Sequence, residues 1–275
     1  MAVVSATIVR PPLRWAGSKR KSLSVLRQYK PRDVTTYIEP FAGSACLAFT
    51  LGQPKMILGD INPRLIEFYE YLRDDPERLH AAYSVLPGNP EQYYRVRAEY
   101  NESVPSLARA ARFLYLNRHC FNGIYRVNAR GAFNVPWGGD KVGKPLSRDE
   151  LVTASKALSS ARLICGDFER VVLDNIDEHS FIYLDPPYAS NETRVFREYH
   201  EDSFATDDWD RFVEVLRKID SVGARFLLSY AGAPLEARFG DWNVGHLDVT
   251  RNVGGFRATR RKHREFVAMN FDPVA

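Results

Sequence analysis

Four times along this chain a short apolar run ends on an acidic residue beside a turn-former. These are TTYIEPF (35–41), KMILGDI (55–61), RLICGDF (162–168) and SFIYLDPPY (180–188). Runs of this length, bounded by turn residues, read as strands buried on both faces. Two further β-type runs, RFLLSYAG (225–232) and REFVAMNF (264–271), lack the terminal acid. Helical patterns lie between several of them. PRLIEFYEYLRDD (63–75) places Leu65, Ile66, Tyr69 and Leu72 on one helical face, and SRDELVTASKALSS (147–160) opens with a Ser147–Glu150 capping box. TDDWDRFVEVLRKID (206–220) carries acids in its first turn, where the helix dipole favours them. Strands alternating with helices predict an α/β fold, a sheet joined by crossover connections and flanked by helices.

The alternation lapses between about residues 76 and 146. The chain there reads helical (EQYYRVRAEYNE, then LARAARFLYLNR) and ends in an aromatic, Gly- and Asn-rich loop, CFNGIYRVNARGAFNVPWGGDK. A length of 275 residues accommodates one large domain or a core domain carrying such an insertion. The expected division is 1–62 with 147–275 as the core domain, and 63–146 as a mainly helical insert.

Charge is distributed unevenly. Residues 1–31, 112–148 and 251–264 together hold 20 of the 38 Lys and Arg residues but only one of the 34 acids, Asp140. Three basic segments on an acidic body fit a polyanion-binding face if they converge in space, and three solvated stretches if they do not. The chain shows no basic-then-apolar leader and no run near the roughly 18 apolar residues of a membrane helix. Cys46, Cys120 and Cys165 are too widely spaced for a disulfide framework or a zinc site. A cytoplasmic chain with reduced, mostly buried thiols is expected, with no membrane role and no metal.

YIEPFAGSA runs from a strand into a small-residue turn, the place where an open α/β sheet brings a ligand close to its backbone. Asp60, 17 residues after Gly43, ends the next strand, as an acid does that hydrogen-bonds ribose hydroxyls. The glycine spacing is not the dinucleotide GxGxxG, which disfavours a nicotinamide enzyme. In DPPY, Asp185 emerges from a strand end, and Pro186 and Pro187 remove two backbone donors while their carbonyls still accept. A carboxylate, a rigid carbonyl and the ring of Tyr188 suit a planar amine. RWAGSKRK (14–21) joins an aromatic, a tight turn and a lysine, and Asp167 with Phe168 could hold an adenine by its amino edge and its face.

Taken in order, RWAGSKRK, YIEPFAGSA, GDIN, LNRHCFNGIYRVNARGAFNVPWG, GDF and DPPY resemble the Dam-type DNA adenine-N6 methyltransferases, the group whose cofactor motifs precede the target-recognition domain and the DPPY. The resemblance spans about residues 10–190. It implies a Rossmann-like S-adenosylmethionine-dependent methyltransferase fold, the insert as target-recognition domain, and adenine in double-stranded DNA as acceptor. S-adenosylhomocysteine is the implied product, and a single chain acting on DNA is the expected form. Trp15, Ala16, Gly17 and Lys19 would then contact the donor around its methionine part, while Glu39, Phe41 and Ser44 would line its pocket. Asp60 would hold the ribose, and Asp167 and Phe168 the donor's adenine. Asp185, Pro186, Pro187 and Tyr188 would form the catalytic site around a base flipped out of the duplex.

In members that read GATC the loop resembles F-N-G-aliphatic-x-R, which makes Arg126 the guanine contact. Phe121 and Asn122 would occupy the vacated stack or meet the orphan base, Ile124 an outer base pair, and Pro136 a thymine. Arg118 and Asn128 join the DNA-facing set, and Arg260, Arg261 and Lys262 form a phosphate clamp. A phosphate contact stays open for Arg126. Two departures from the family pattern are Gly43-Ser44-Ala45 in place of a Gly-rich turn, and SYAG (229–232) in place of a Ser-Asn form. Rival readings are a methyltransferase acting on RNA or on a protein amide, which favours Asn at position 185, and a catalytically silent DNA-binding module. Restriction-modification, housekeeping and phage settings are all compatible with the sequence.

Overall fold

The predicted runs assemble into one sheet. The computed structural model describes residues 9–52, 55–187, 206–230, 238–252 and 260–272, with backbone alone at 206–207, 248–252 and 260–263. Its strands are β1 (Thr36–Glu39), β2 (Met56–Asp60), β3 (Ala161–Cys165), β4 (Ser180–Leu184), β5 (Arg225–Tyr230), β6 (Asn243–Asn252) and β7 (Arg260–Met269). They lie in the order β3-β2-β1-β4-β5-β7-β6. β1 to β5 are parallel, and β7 inserts antiparallel between β5 and β6. The chain steps outward from β1 to β3 and then restarts on the other side of β1 with β4, in register Tyr37 to Phe181 and Ile38 to Ile182. That reversal opens a crevice beyond the carboxyl ends of β1 and β4.

The helices are α1 (Leu23–Leu26), α2 (Cys46–Leu51), α3 (Pro63–Asp74), α4 (Pro76–Ser84), α5 (Pro90–Glu102), α6 (Leu107–His119), α7 (Arg148–Leu158), α8 (Phe168–Leu173) and α9 (Thr206–Ser221). Three starts combine a side-chain cap with proline in the first turn: Asn62-Pro63, Asp75-Pro76 and Asn89-Pro90. In each case the cap oxygen satisfies free amides and the fixed proline φ is already helical. The capping box at Ser147 and Glu150 is present.

Strand alternation splits the core in two. Ile38, Ile57, Ile182, Phe226 and Leu228 face α8 and α9, where Val171, Phe212 and Leu216 are buried. Tyr37, Leu58, Phe181, Tyr183 and Leu227 face the other way, into a cluster that runs on without a break through α3 and α7 to Tyr93, Tyr100 and Phe113 of α5 and α6. Each fully buried large side chain contributes about 1.5–3 kcal/mol. Among the described residues no strand lies between β2 and β3 in sequence, only isolated bridges at Cys120–Trp137 and Val127–Phe133. The start of α6 is pinned to α3 by Glu67, which accepts from the Arg109 guanidinium and, at 2.7 Å, from the Ser106 amide.

β6 was not foreseen. It is an edge strand whose Val244 is half exposed, so it lacks the apolar pattern of the central strands. Cys46 and Cys120 are buried as expected, whereas Cys165 is exposed. Among the described residues no helix is long and apolar enough to cross a membrane.

Candidate active site

Three of the four strand-end acids, Glu39, Asp60 and Asp185, lie at or just beyond their strands, and Asp167 follows β3 by two residues, all on the carboxyl side of the sheet. Glu39 ends β1 and is 3% exposed. Its Oε2 accepts a 2.8 Å bond from the Tyr37 hydroxyl. Burial pushes the Glu39 carboxyl up to about 8; the Tyr37 bond opposes that rise and the neighbouring Asp185 charge adds to it.

Asp60 is fixed by two backbone amides, from Gly43 to Oδ2 and from Asn62 to Oδ1, both at 3.0 Å. The turn that supplies the first amide is left-handed at Gly43 (φ 46°) and Ala45 (φ 49°). A β-carbon on Gly43 would lie 2.9 Å from the indole of Trp15, so this glycine is required by conformation and by space. Ser44 bonds Ser18 at 3.0 Å, which ties the turn to the RWAGSK segment. Within that segment Ala16 and Gly17 are exposed and Lys19 is buried.

Asp167 caps α8 through the Glu169 amide at 3.0 Å and pairs with Arg211 at 2.8 Å. Phe168 is buried and stacks on Phe41, with centroids 5.4 Å apart and planes at 26°. Asp185 leaves β4 and meets the Lys19 ammonium at 2.5 Å. Pro186 is buried and Pro187 exposed. Tyr188 lies outside the described residues. The SYAG departure is internal where described: Ser229 is buried against the Tyr183 hydroxyl at 2.7 Å, and Tyr230 packs edge-on to Trp209.

The loop expected to read DNA is a small, tightly hydrogen-bonded unit. Phe121 and Asn122 are exposed, and Asn122 takes a left-handed φ of 54°. Ile124 is half-buried against the core, and Pro136 is exposed while its carbonyl accepts from the Phe121 amide. Arg126 donates from Nε to Asn134 Oδ1 at 2.7 Å. Asn128 turns inward, its Oδ1 accepting from the amides of Arg130 and Ala132 to build the turn.

Arg118 corrects the expectation of a surface contact. It is 9% exposed, and its guanidinium donates to the carbonyls of Lys144 and Pro12. A β-carbon on Gly143 would meet that guanidinium at 2.9 Å, so the charge is packed into the interior as a brace. Arg260, Arg261 and Lys262 lie on β7, paired with residues 250–252, where backbone alone is described.

Three residues that sequence reasoning missed take part here. Asn134 holds Arg126, and Arg211 holds Asp167 while lying over the Phe168 ring at 5.2 Å. Asn117 is 4% exposed in α6 and bonds both backbone groups of Arg14. Its signal was readable, because a polar side chain on the buried face of an apolar helix needs a partner.

Seven strands in this order, with an antiparallel β7 and acids gathered beyond their carboxyl ends, define an S-adenosylmethionine-dependent methyltransferase fold. Residues 15–253 match the family model described as D12 class N6 adenine-specific DNA methyltransferase. The chain is 37% identical over 243 residues to a type II methyltransferase of Methanocaldococcus jannaschii, covering 80% of this chain and 84% of the relative. It is 32% identical to a type II methyltransferase of Lactococcus lactis subsp. cremoris, covering 96% of each. Against a DNA adenine methylase of Salmonella typhi it is 31% identical, again covering 96% of each. The chain belongs to the D12 class of N6 adenine-specific DNA methyltransferases, enzymes that methylate adenine in DNA.

Members of this class use S-adenosylmethionine, and the residues present fit that molecule in kind. A carboxylate pre-set by two amides suits a ribose diol, and the Phe41–Phe168 pair with an acid beside it suits a purine.

Proposed function

We propose that the chain transfers the methyl group of S-adenosylmethionine to N6 of an adenine flipped out of double-stranded DNA, within GATC. The observation that carries this reading is the placement of Asp185. It stands at the strand switch, beside the buried Glu39 and clamped by Lys19, on the same crevice as Asp60. S-adenosylmethionine would supply an electrophilic sulfonium methyl, exchanging its S–CH3 bond for N6–CH3 and leaving S-adenosylhomocysteine as a neutral thioether, while the methylated N6 would release one proton.

Adenine N6 is a weak nucleophile because its lone pair is delocalised into the ring. Asp185 Oδ and the Pro186 carbonyl accept the two N6 hydrogens in the geometry of a tetrahedral nitrogen. That favours the transition state over the planar amine. The Lys19 ammonium holds the Asp185 carboxylate in one orientation, so little reorganisation is left for the moment of reaction. Tyr188 stacks on the extruded base, since a base inside the duplex cannot reach a pocket of this kind. Trp15, Ala16, Gly17 and Lys19 meet the methionine part of the donor, Glu39, Phe41 and Ser44 line its pocket, Asp60 takes the ribose, and Asp167 with Phe168 takes the purine. This chemistry needs no metal.

Arg126 reads guanine through its guanidinium, whose Nε is already braced by Asn134. Phe121 and Asn122 stand exposed at the loop tip for the vacated stack. Ile124, Asn128 and Pro136 flank them, and Arg260, Arg261 and Lys262 grip phosphate. One chain carries both donor site and reading loop, so it acts as a monomer.

The test is incubation with isotopically labelled S-adenosylmethionine and unmethylated duplex DNA, followed by mass spectrometry of nucleosides and mapping of the sites. Label in N6-methyladenine at GATC is expected. Methylation centred on another motif would discard the Arg126 assignment, and label confined to RNA or protein would discard the acceptor.

A further inference from the structure

The RWAGSK segment is held from two sides. On the sheet side, Trp15 lies against Gly43, Ser18 bonds Ser44 and Lys19 pairs with Asp185. On the insert side, Asn117 of α6 closes a two-bond clip on Arg14, its Oδ1 accepting from the Arg14 amide at 2.9 Å and its Nδ2 donating to the Arg14 carbonyl at 2.6 Å. The next residue, Trp15, stacks on Tyr125 with centroids 5.8 Å apart and planes at 13°. Tyr125 itself belongs to the reading loop, one residue before Arg126. It is wedged between Phe113 and Phe133, at 5.7 and 5.6 Å. Six residues of backbone therefore connect the loop to the carboxylate of Asp185.

We infer that Tyr125 and Asn117 are positioning residues that couple the DNA-reading loop to the donor-binding segment, so that recognition of the DNA site and affinity for the donor depend on each other. The inference rests on the proposed donor contacts of Trp15 and Lys19. Neither Tyr125 nor Asn117 is placed in the donor pocket or against DNA; both act through Trp15 and Arg14. A loop that settles on its DNA site fixes Tyr125, Tyr125 fixes the indole, and the indole sits against the turn that orients Asp60. Coupling of this kind is reciprocal: donor binding strengthens DNA binding by the factor by which DNA strengthens donor binding.

The measurement is calorimetric Kd for S-adenosylhomocysteine with full-length protein, alone and with a duplex containing one GATC or a scrambled site. For the wild type the GATC duplex should tighten binding about five- to tenfold more than the scrambled one, within the usual range of such couplings. Tyr125→Met fills the space without offering a ring face and should bring that ratio close to one. Tyr125→Phe, which keeps the ring, should restore it. Asn117→Ser should reduce the ratio independently, and it carries the test if Tyr125→Met fails to unfold cooperatively. A merely structural role would lower the melting temperature and leave the ratio unchanged; that result, or a wild-type ratio of one, overturns the inference. Lys19→Met separates the two levels. If it leaves S-adenosylhomocysteine affinity without DNA unchanged, the donor-site reading fails; if it weakens binding while Tyr125→Met keeps the full ratio, the coupling alone fails.

Discussion

The Lys19 ammonium lies 2.5 Å from Oδ1 of Asp185, although 166 positions separate the two residues in sequence. Lys19 is only 2% exposed at its side chain and Asp185 20%, so the pair sits where a charge–charge contact is weakly screened. Its consequence is a carboxylate fixed as an acceptor before any base arrives. Asp185→Ala should therefore cut single-turnover methyl transfer by about 10²–10³-fold. Affinity for S-adenosylhomocysteine should stay within a few-fold of wild type. A variant that keeps near-normal turnover would remove Asp185 from the chemistry.

Glu39 gives a pH signature. Its carboxyl holds its proton to about pH 8 in the fold, against an ordinary value of 4.5, because it is buried. Between those values the unfolded chain has lost the proton and the folded one keeps it. This contribution to stability is complete below about pH 4.5, declines as pH rises and is gone above about 8. Its slope approaches 1.4 kcal/mol per pH unit. In donor-free protein Glu39→Gln should flatten that part of the stability curve between pH 5 and 8, as read by urea unfolding; an unchanged slope would show that other groups set it.

Arg126→Ala should relax the choice of base at one position of the site. A good bidentate contact supplies about 1–3 kcal/mol of discrimination, and that preference should disappear. Asn134→Ala removes only the brace on Nε and should cost less, in the same direction. Competition binding with single-base variants of the site reads both. Equal weakening on every duplex would mark Arg126 as a phosphate contact.

Gly59 lies in β2 beneath α8. A β-carbon there would approach Val171 Cγ1 and Cγ2 to 2.6 and 2.7 Å. Gly59→Ala should destabilise the fold by about 1–3 kcal/mol, since the helix must shift. Val171→Ala in the same chain should recover most of that loss. The Tm series of the two single variants and the double variant checks it.

The strand ends were legible because each is an apolar run stopped by an acid and a turn-former, and Tyr37–Glu39 and Phe181–Leu184 became the central pair. Longer helices were legible from period and caps: 63–75 appears as Pro63–Asp74 and 147–160 as Arg148–Leu158. α2 and α8 have six residues each, too few to display a 3.6-residue period. Arg118 could not be placed from sequence, because its partners are backbone carbonyls at residues 12 and 144. The pairing of Lys19 with Asp185 was equally hidden, since it exists only once β4 lies beside β1. The acids of the crevice were visible one by one, whereas the anchoring of Asp60 by the Gly43 amide depends on how the turn read at 43–45 meets the end of β2 in the fold.

The Arg118 brace and the Asn117 clip bear on how this enzyme can be rebuilt. Exchanging 63–146 for the same span of a relative leaves behind Pro12 and Arg14, to which the imported helix must bond, and Lys144 travels with it. Because those partners are backbone groups, a transplant within the proposed bounds keeps this seam only if it brings an amide to the position of Asn117 and a guanidinium to that of Arg118.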